Sequence, residues 1–306
     1  MKEELTNLLK YYINKNASAT DICKALNISL VELNYLINDL CQNGEDYAFV
    51  NGNPKKINNL LSKMDYYNIN EGNLDSVCFL SDVHYGSIYD NIELMEQVYE
   101  QCDKRNINHI FCAGDLTDGV YVEDRDPKEK KAGTIKKLIN YVSKCHPYSE
   151  KINFYSIAGN HDLITDMKNY DNNMCQYISQ NREDIIYLDS QIAYIYFGNT
   201  TLCINHGYKK SKVSLQRRLK YYYKQLPDYL KPNILILGHI HQDELAYFDE
   251  TYVLQLAAMC DPISFSDVYH KQSFYIANLK YDDNGEFVKV EFEKHLPTLS
   301  RIRSFK

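Results

Sequence analysis

The chain has 306 residues, 44% of them hydrophobic and 25% charged, a balance that supports a packed core and excludes disorder as the main state. Its formal net charge of -7 excludes a polybasic nucleic-acid coat, so contact with nucleic acid would need a local basic patch or bound cations. No apolar run approaches the roughly 18–20 residues of a membrane span, and Met1 to Lys10, with Glu3 and Glu4, has no apolar signal-peptide core, so a cytoplasmic chain with no membrane partner is expected. The nine cysteines form no CxxC pair. Several, such as Cys78, Cys112 and Cys203, lie inside apolar runs, which fits reduced, buried thiols rather than a disulfide framework. The 28 tyrosines accompany many Asn, Ile and Lys, a bias of A/T-rich codons before it is a functional signal.

In chain order, residues 1–44 carry apolar positions at helical spacing. Leu5, Leu8, Leu9 and Tyr12 mark a first helix. Ile22, Cys23 and Leu26 mark a second, with Ser18 or Thr20 as its cap, and Val31, Leu33, Leu36, Ile37 and Leu40 mark a third that ends at Asn43-Gly44. Tyr47–Val50 and Lys55–Ile57, separated by Asn51-Gly52-Asn53-Pro54, read as a hairpin, so the whole resembles a winged helix. Its would-be recognition helix carries Glu32 and Asp39 and no Lys or Arg, whereas phosphate contacts dominate affinity for DNA. Packing, or binding a protein partner or a second copy of the chain, is therefore favoured over reading DNA.

Asn68 to Leu74 is polar and turn-like, which divides the chain into units 1–68 and 69–306. Beyond it apolar runs alternate with helical segments, an α/β (α+β) pattern. The runs are Val77–Leu80, His109–Cys112, Ile152–Ile157, Thr201–Ile204, Ile234–Leu237, Tyr252–Leu256, Ser273–Leu279 and Phe287–Phe292. Val122 to Lys131, dense in both charge signs, reads as a solvated loop, and Thr134 to Cys145 as a helix with Ile135, Leu138, Ile139 and Val142 facing the core.

Five of these runs end in metal-ligand residue types: Ser81-Asp82-Val83-His84, Ala113-Gly114-Asp115, Ala158-Gly159-Asn160-His161-Asp162, Asn205-His206-Gly207 and Leu237-Gly238-His239-Ile240-His241. A lone His in a strand is ordinarily a satisfied core residue, but five successive strand ends closing on such types are not a coincidence. Ligands in open α/β sheets bind beyond the carboxyl ends of strands. Carboxylate and imidazole together suit Mn²⁺, Fe or Zn²⁺, and a bridging carboxylate suits a pair of cations that clamps phosphate.

The five blocks, in this order over Ser76 to Lys294, resemble the calcineurin-like metallophosphoesterase superfamily. The resemblance implies a β-sandwich flanked by helices, here preceded by the small helical unit, and a dinuclear centre holding two divalent metal ions, Mn²⁺ foremost. It implies that Asp82, His84 and His241 hold one metal, Asn160, His206 and His239 the other, and Asp115 bridges them. It also implies that His161 protonates the leaving oxygen, Asp162 orients His161, and hydroxide between the metals attacks the phosphate. Phosphoprotein phosphatases of the superfamily carry an Arg after the second block and Glu after Gly-Asn-His; here Gly119 follows Asp118 and the third block ends in Asp162. The blocks look closer to the phosphodiesterase and nuclease side, which points to DNA, RNA or nucleotide substrates. Lys209, Lys210, Lys212, Arg217, Arg218, Lys220 and Lys224 follow His206 directly, interleaved with Tyr208 and Tyr221-Tyr222-Tyr223. That cluster is either the polar face of an amphipathic helix or a track for phosphate with aromatic stacking for bases. A small-metabolite phosphomonoesterase and a nonenzymatic DNA- or partner-binding scaffold are the alternatives.

Overall fold

The computed structural model describes residues 2–30, 32–33, 36–37, 40, 47–50, 53–56, 67–120, 127–163, 173–207, 214–226, 230–262 and 272–297. Helix α1 spans Lys2–Asn14 and α2 Ala19–Leu26. Ser18 is the cap of α2: its Oγ accepts from the Asp21 N–H at 3.1 Å, and Asn27 ends the helix in the left-handed region. Leu30, Glu32, Leu33, Leu36, Ile37 and Leu40 are helical. Ser29 and Glu32 open that segment as a capping box, each side chain accepting from the other's backbone N–H at 2.7 and 3.2 Å. Glu32 is thus occupied in stabilising its own helix. Strands β1 (Tyr47–Val50) and β2 (Asn53–Lys56) pair antiparallel with Val50 opposite Asn53. Leu9, Ile13, Ile22, Leu33, Ile37, Leu40 and Tyr47 form the core of this unit.

The rest is a sandwich of two six-stranded sheets. The first contains β4 (Ser76–Leu80), β5 (His109–Cys112), β6 (Asn153–Ala158) and β7 (Ile185–Ser190), all parallel, with β13 (Phe274–Tyr281) and β14 (Phe287–His295) added antiparallel. The second has the order β11 (Glu244–Phe248), β12 (Thr251–Gln255), β10 (Ile234–Leu237), β9 (Thr200–Asn205), β8 (Ile192–Phe197) and β3 (Tyr67–Ile69). Strand β3 lies across the expected boundary at 68/69. It pairs with β8, so this short edge belongs to the sandwich. Only Ile69 of its three residues is buried, too little periodicity to read as a strand.

Side-chain alternation sends each strand into two cores. Val77, Phe79, Phe111, Tyr155 and Ile157 meet Ile195, Leu202, Ile204, Ile234 and Ile236 between the sheets. Cys78, Leu80, Ile110, Cys112 and Phe154 face outward beneath α3 (Ile92–Arg105), α4 (Ile135–Cys145) and α5 (Met174–Ser179). On the opposite outer face α6 (Leu215–Gln225) packs Leu219, Tyr222 and Tyr223 on Cys203, Leu235 and Leu237. Each parallel pair β4–β5, β5–β6 and β9–β10 is joined through one of these helices, which brings five strand carboxyl ends to one end of the molecule.

The run 185–197 was not expected as strands. It is β7 in one sheet and β8 in the other, joined by Gln191 alone at φ 68°. Gln191 N–H donates to Ala158 O at 2.9 Å and its carbonyl accepts from His206 N–H at 2.8 Å, which ties the ends of β6 and β9 together. Of the expected charged loop, residues 121–126 lie outside the described set. Residues 128–131 are tied by backbone bonds to the 86–88 segment, with Lys128 and Lys131 exposed: Lys130 bridges Ser87, and Lys131 N–H donates to Gly86 O at 2.7 Å. Among the described residues no helix is long and apolar enough to cross a membrane.

Candidate metal centre

Each ligand-type block begins where its strand stops, and the backbone there is unusual. Asp82, His84, Asp115, His239 and His241 all have φ between 50° and 80°, a region that L-residues other than glycine seldom adopt. Such conformations cost of order 1–3 kcal/mol each and persist where the surrounding structure over-determines them. Here it does: Asp82 N–H donates to Gly114 O and His84 N–H to Asp115 O, both at 3.0 Å, and His239 N–H donates to Asp82 Oδ2 at 3.0 Å. The glycines supply clearance. A Cβ on Gly159 would stand 2.2 Å from Asp115 Oδ1, and one on Gly238 2.3 Å from Ser81 Oγ.

The side chains converge on Asp115. Its Oδ2 lies 3.1 Å from His206 Nε2 and 3.9 Å from His84 Nε2, and its Oδ1 accepts from His161 N–H at 2.8 Å. On one side His84 Nε2 and His241 Nε2 are 3.3 Å apart, with Asp82 Oδ1 at 3.9 and 3.3 Å from them. On the other His206 Nε2 is 3.1 Å from Asn160 Oδ1, and Asp115, His206 and His239 form a second group of converging donors. His206 Nδ1 is 2.7 Å from Ala113 O, which directs Nε2 into the centre. The structure thus brings Asp82, His84, Asp115, Asn160, His206, His239 and His241 together.

The electrostatics follow from burial and proximity. Burial alone would raise the Asp82 and Asp115 carboxyls. The imidazoles beside them, His241 and His206 at Asp82 and His206, His161 and His84 at Asp115, outweigh burial and hold both below the usual carboxylate range. Burial opposes charge on His206, but Asp115 raises it to about 9, whereas burial and the His206 charge push His239 down to about 3. Among the described residues the buried Asp82 Oδ1 has no well-formed hydrogen bond and meets only the ring nitrogens of His241 and His84, at 3.3 and 3.9 Å. A buried carboxylate oxygen left this way is costly unless a cation meets it, so the donor set fits a divalent metal.

A family model for calcineurin-like phosphoesterases matches residues 76–257, which contain all five blocks. The chain belongs to this family. Among curated proteins none matches. Similar solved structures include an archaeal phosphodiesterase at 15% identity, covering 72% of this chain and 99% of that one with a TM-score of 0.42. The phosphoesterase YfcE of E. coli is 15% identical over 71% of this chain and 98% of its own, with a TM-score of 0.39. Vps29 of Entamoeba histolytica, complexed with zinc, is 15% identical over 72% and 98%, also with a TM-score of 0.39.

Two expectations for this chain are corrected by its geometry. Asp162 does not orient His161. It is fully buried, and its two oxygens accept from the backbone N–H groups of Leu116, Thr117 and Gly159 and from Thr117 Oγ1 at 2.8–3.1 Å. It staples the second block to the third, and burial next to Asp115 raises it to about 6. The carboxylate at His161 is Asp118: His161 Nδ1 is 3.4 Å from Asp118 O and 3.7 Å from Asp118 Oδ1. The same Oδ1 is 3.3 Å from His84 Nδ1. Asp118 follows the second block and carries no expected role. Its signal was the spacing, three residues after Asp115 on the loop that Asp162 holds.

The second correction concerns Arg218 of the basic cluster. Lys209 and Lys210, with Tyr208 and Lys212, lie outside the described residues. Arg218 is buried at 4% exposure, stacked 4.8 Å over Tyr222, with Nε donating to Gln255 Oε1 at 3.3 Å. Gln255 Nε2 in turn donates to Gly238 O at 2.7 Å. Arg218 is a strut behind the His206 and His239 loops, not a surface contact for phosphate. Tyr222 and Tyr223 are buried and cannot stack on bases. Arg217, Lys220 and Lys224 remain exposed, spaced as one solvent face of α6.

Proposed function

We propose that this phosphoesterase hydrolyses phosphodiester bonds at a dinuclear centre, with nucleic acids or nucleotides as the substrate class. The observation that carries the reading is the placement of Asp115, one carboxylate between a group containing His84 and a group containing His206. In this reading Asp82, His84 and His241 hold one cation, Asn160, His206 and His239 hold the other, and Asp115 serves both. Two divalent cations, Mn²⁺ first, with Fe or Zn²⁺ as alternatives, would clamp the phosphate, supply Lewis acidity and lower the pKa of a water to about 7.

The chain's own residues then have defined tasks. His161 is only 16% exposed at its side chain, and its Nδ1 faces the Asp118 carbonyl and carboxylate. An N–H at Nδ1 satisfies both, which leaves Nε2 to carry the exchangeable proton. As the P–O ester bond breaks, His161 Nε2 delivers that proton to the leaving oxygen, and water supplies the new oxygen on phosphorus. Asp118 stabilises the imidazolium before transfer. Asp162 keeps the loops of Asp115 and His161 in register. The exposed Arg217, Lys220 and Lys224 support a polyanionic substrate by their charge.

The test is hydrolysis of a chromogenic diester, single-stranded DNA and RNA with Mn²⁺, beside the chromogenic monoester. The expected result is metal-dependent diester cleavage that His161→Ala lowers about 10²–10⁴-fold on substrates with poor leaving groups. The loss should shrink on an activated ester, whose leaving group needs no proton. Full activity of His161→Ala on DNA, or cleavage of the monoester alone, would overturn the reading.

A further inference from the structure

Cys260 lies outside all five ligand blocks, yet the fold delivers it to the centre. The chain leaves β12 at Gln255 and passes over the Asp82 loop. There Met259 N–H donates to Ser81 O at 3.0 Å and Cys260 N–H to Asp82 O at 3.2 Å. On the far side Asp261 N–H donates to Tyr89 O at 2.7 Å, and Asp261 Oδ1 accepts from Asn91 Nδ2 at 3.1 Å and Gln272 Nε2 at 3.0 Å. Cys260 is therefore pinned on both sides to the segment that carries Asp82 and His84.

Its side chain does not join the apolar core as Met259 does. It is 1% exposed, and its Sγ, a ring nitrogen of His84 and a ring nitrogen of His241 all lie within 4.8 Å of one another. A second, independent observation marks the same spot as a cation site. Among the described residues the buried Asp82 Oδ1 makes no well-formed hydrogen bond and faces His241 Nε2 at 3.3 Å. Neighbouring donors on one zinc stand roughly 3–4 Å apart, given Zn–S near 2.3 Å and Zn–N near 2.0 Å. The His84–His241 separation of 3.3 Å already meets this, and Sγ, within 4.8 Å of both rings' nitrogens, would close in on binding.

We propose that Cys260 is a thiolate ligand of the cation held by Asp82, His84 and His241. This rests on the dinuclear reading above and deepens it. On binding, the thiol proton passes to solvent and the sulfur lone pair forms the bond to the metal, with no change of oxidation state. A soft donor in an otherwise imidazole and carboxylate set biases that position toward Zn²⁺ or Fe²⁺ and away from Mn²⁺. The two positions of the centre then differ in metal preference, since the other offers only oxygen and imidazole nitrogen.

The test is cobalt substitution of the full chain, read by absorption rather than turnover. Visible d–d bands report Co²⁺ in the centre, and a near-ultraviolet sulfur-to-cobalt charge-transfer band reports a thiolate bond. The wild type is expected to show both, and Cys260→Ser to keep the d–d bands and lose the charge-transfer band. Zn²⁺ affinity of the variant should fall by at least about tenfold, since even groups that only hold ligands cost about 10–100-fold, with Mn²⁺ affinity changed far less. The visible bands without charge transfer in the wild type, or charge transfer that survives Cys260→Ser, would overturn the assignment while leaving the metal centre standing. No retained cobalt at all would overturn the centre itself and the ligand with it. Should Cys260→Ser fail to fold, zinc X-ray absorption of the wild type reads the same bond. A sulfur shell near 2.3 Å is expected, and a shell of only nitrogen and oxygen would refute it.

Discussion

Gly159→Ala tests the centre without touching a donor atom. The added carbon would stand 2.2 Å from Asp115 Oδ1, 2.4 Å from Asp115 N and 2.7 Å from Asp115 Cγ. Favourable contact of heavy atoms begins at about 3.5 Å, so the carboxylate must retreat by more than about 1 Å. Rotation of Asp115 alone does not relieve this, because the backbone nitrogen is almost as close. Metal–ligand distances tolerate about ±0.2 Å, and a misplacement of about 1 Å costs roughly 10²-fold. Overpacking itself costs about 1–3 kcal/mol. The variant should therefore fold with a melting temperature lower by about 3–10 °C, bind Mn²⁺ more weakly and lose about 10²-fold in turnover. The control is Gly133→Ala, where an added carbon meets nothing within 4 Å and the backbone is not left-handed. Calorimetric titration of metal into both variants and the wild type, with thermal melts of the metal-free forms and diester turnover, reads all three effects. A Gly159→Ala protein that binds metal like the control would show that Asp115 does not stand where the cations must be.

Asp118→Asn should lower turnover about 10–100-fold with little change in melting temperature. Asp162→Asn should chiefly cost stability, because an amide cannot accept from the Leu116, Thr117 and Gly159 N–H groups at once. The reverse pattern in parallel melts and assays would restore Asp162 as the partner of His161. His146, buried between the Tyr85 and Tyr99 hydroxyls at 3.2 and 2.9 Å, is pushed from 6.5 down to about 3 by burial and by the Arg182 charge, against Asp184. The folded chain thus refuses a proton that the unfolded chain accepts below pH 6.5. Stability should fall by up to about 1.4 kcal/mol per pH unit from pH 6.5 toward 3. Thermal melts from pH 7.5 to 5 should be less pH-dependent in His146→Gln, and equal slopes would remove His146 from the account. Arg217→Glu, at an exposed position, should change stability by no more than about 0.5 kcal/mol. Arg218→Ala, which empties the space behind Gln255, should cost about 2–4 kcal/mol, and chemical denaturation separates them.

The centre was legible because each donor follows directly on an apolar run, and parallel pairing of β4, β5 and β6 then aligns the ends. What pattern reading cannot see is which neighbour a buried polar side chain meets. Asp162 is adjacent to His161 in sequence, yet its oxygens point back to the second block, while Asp118 arrives from across the loop. Arg218 and Gln255 were hidden for the same reason. A basic helix looks alike from sequence whichever residue turns inward, and the one that turns in is set by a stack on Tyr222 and a bond to Gln255. Strands β7 and β8 were missed because their only separator is Gln191, a residue with no turn signature that is held left-handed by bonds to Ala158 and His206. The left-handed conformations at Asp82, His84, Asp115, His239 and His241 are a similar case. Local propensity would place glycine or asparagine there, and the sequence spends the strain to keep donors at those points.

The most direct test of the account is the metal content of the chain. The wild type and Asp115→Asn would be reconstituted separately with Mn²⁺, Zn²⁺ and Fe²⁺ under anaerobic conditions, freed of unbound ions by gel filtration, and measured by plasma mass spectrometry. The account predicts two cations per wild-type chain and loss of both, or retention of one at most, in Asp115→Asn, because one carboxylate serves both positions. A wild-type chain that retains none of the three metals, or an Asp115→Asn chain that keeps two, would contradict it.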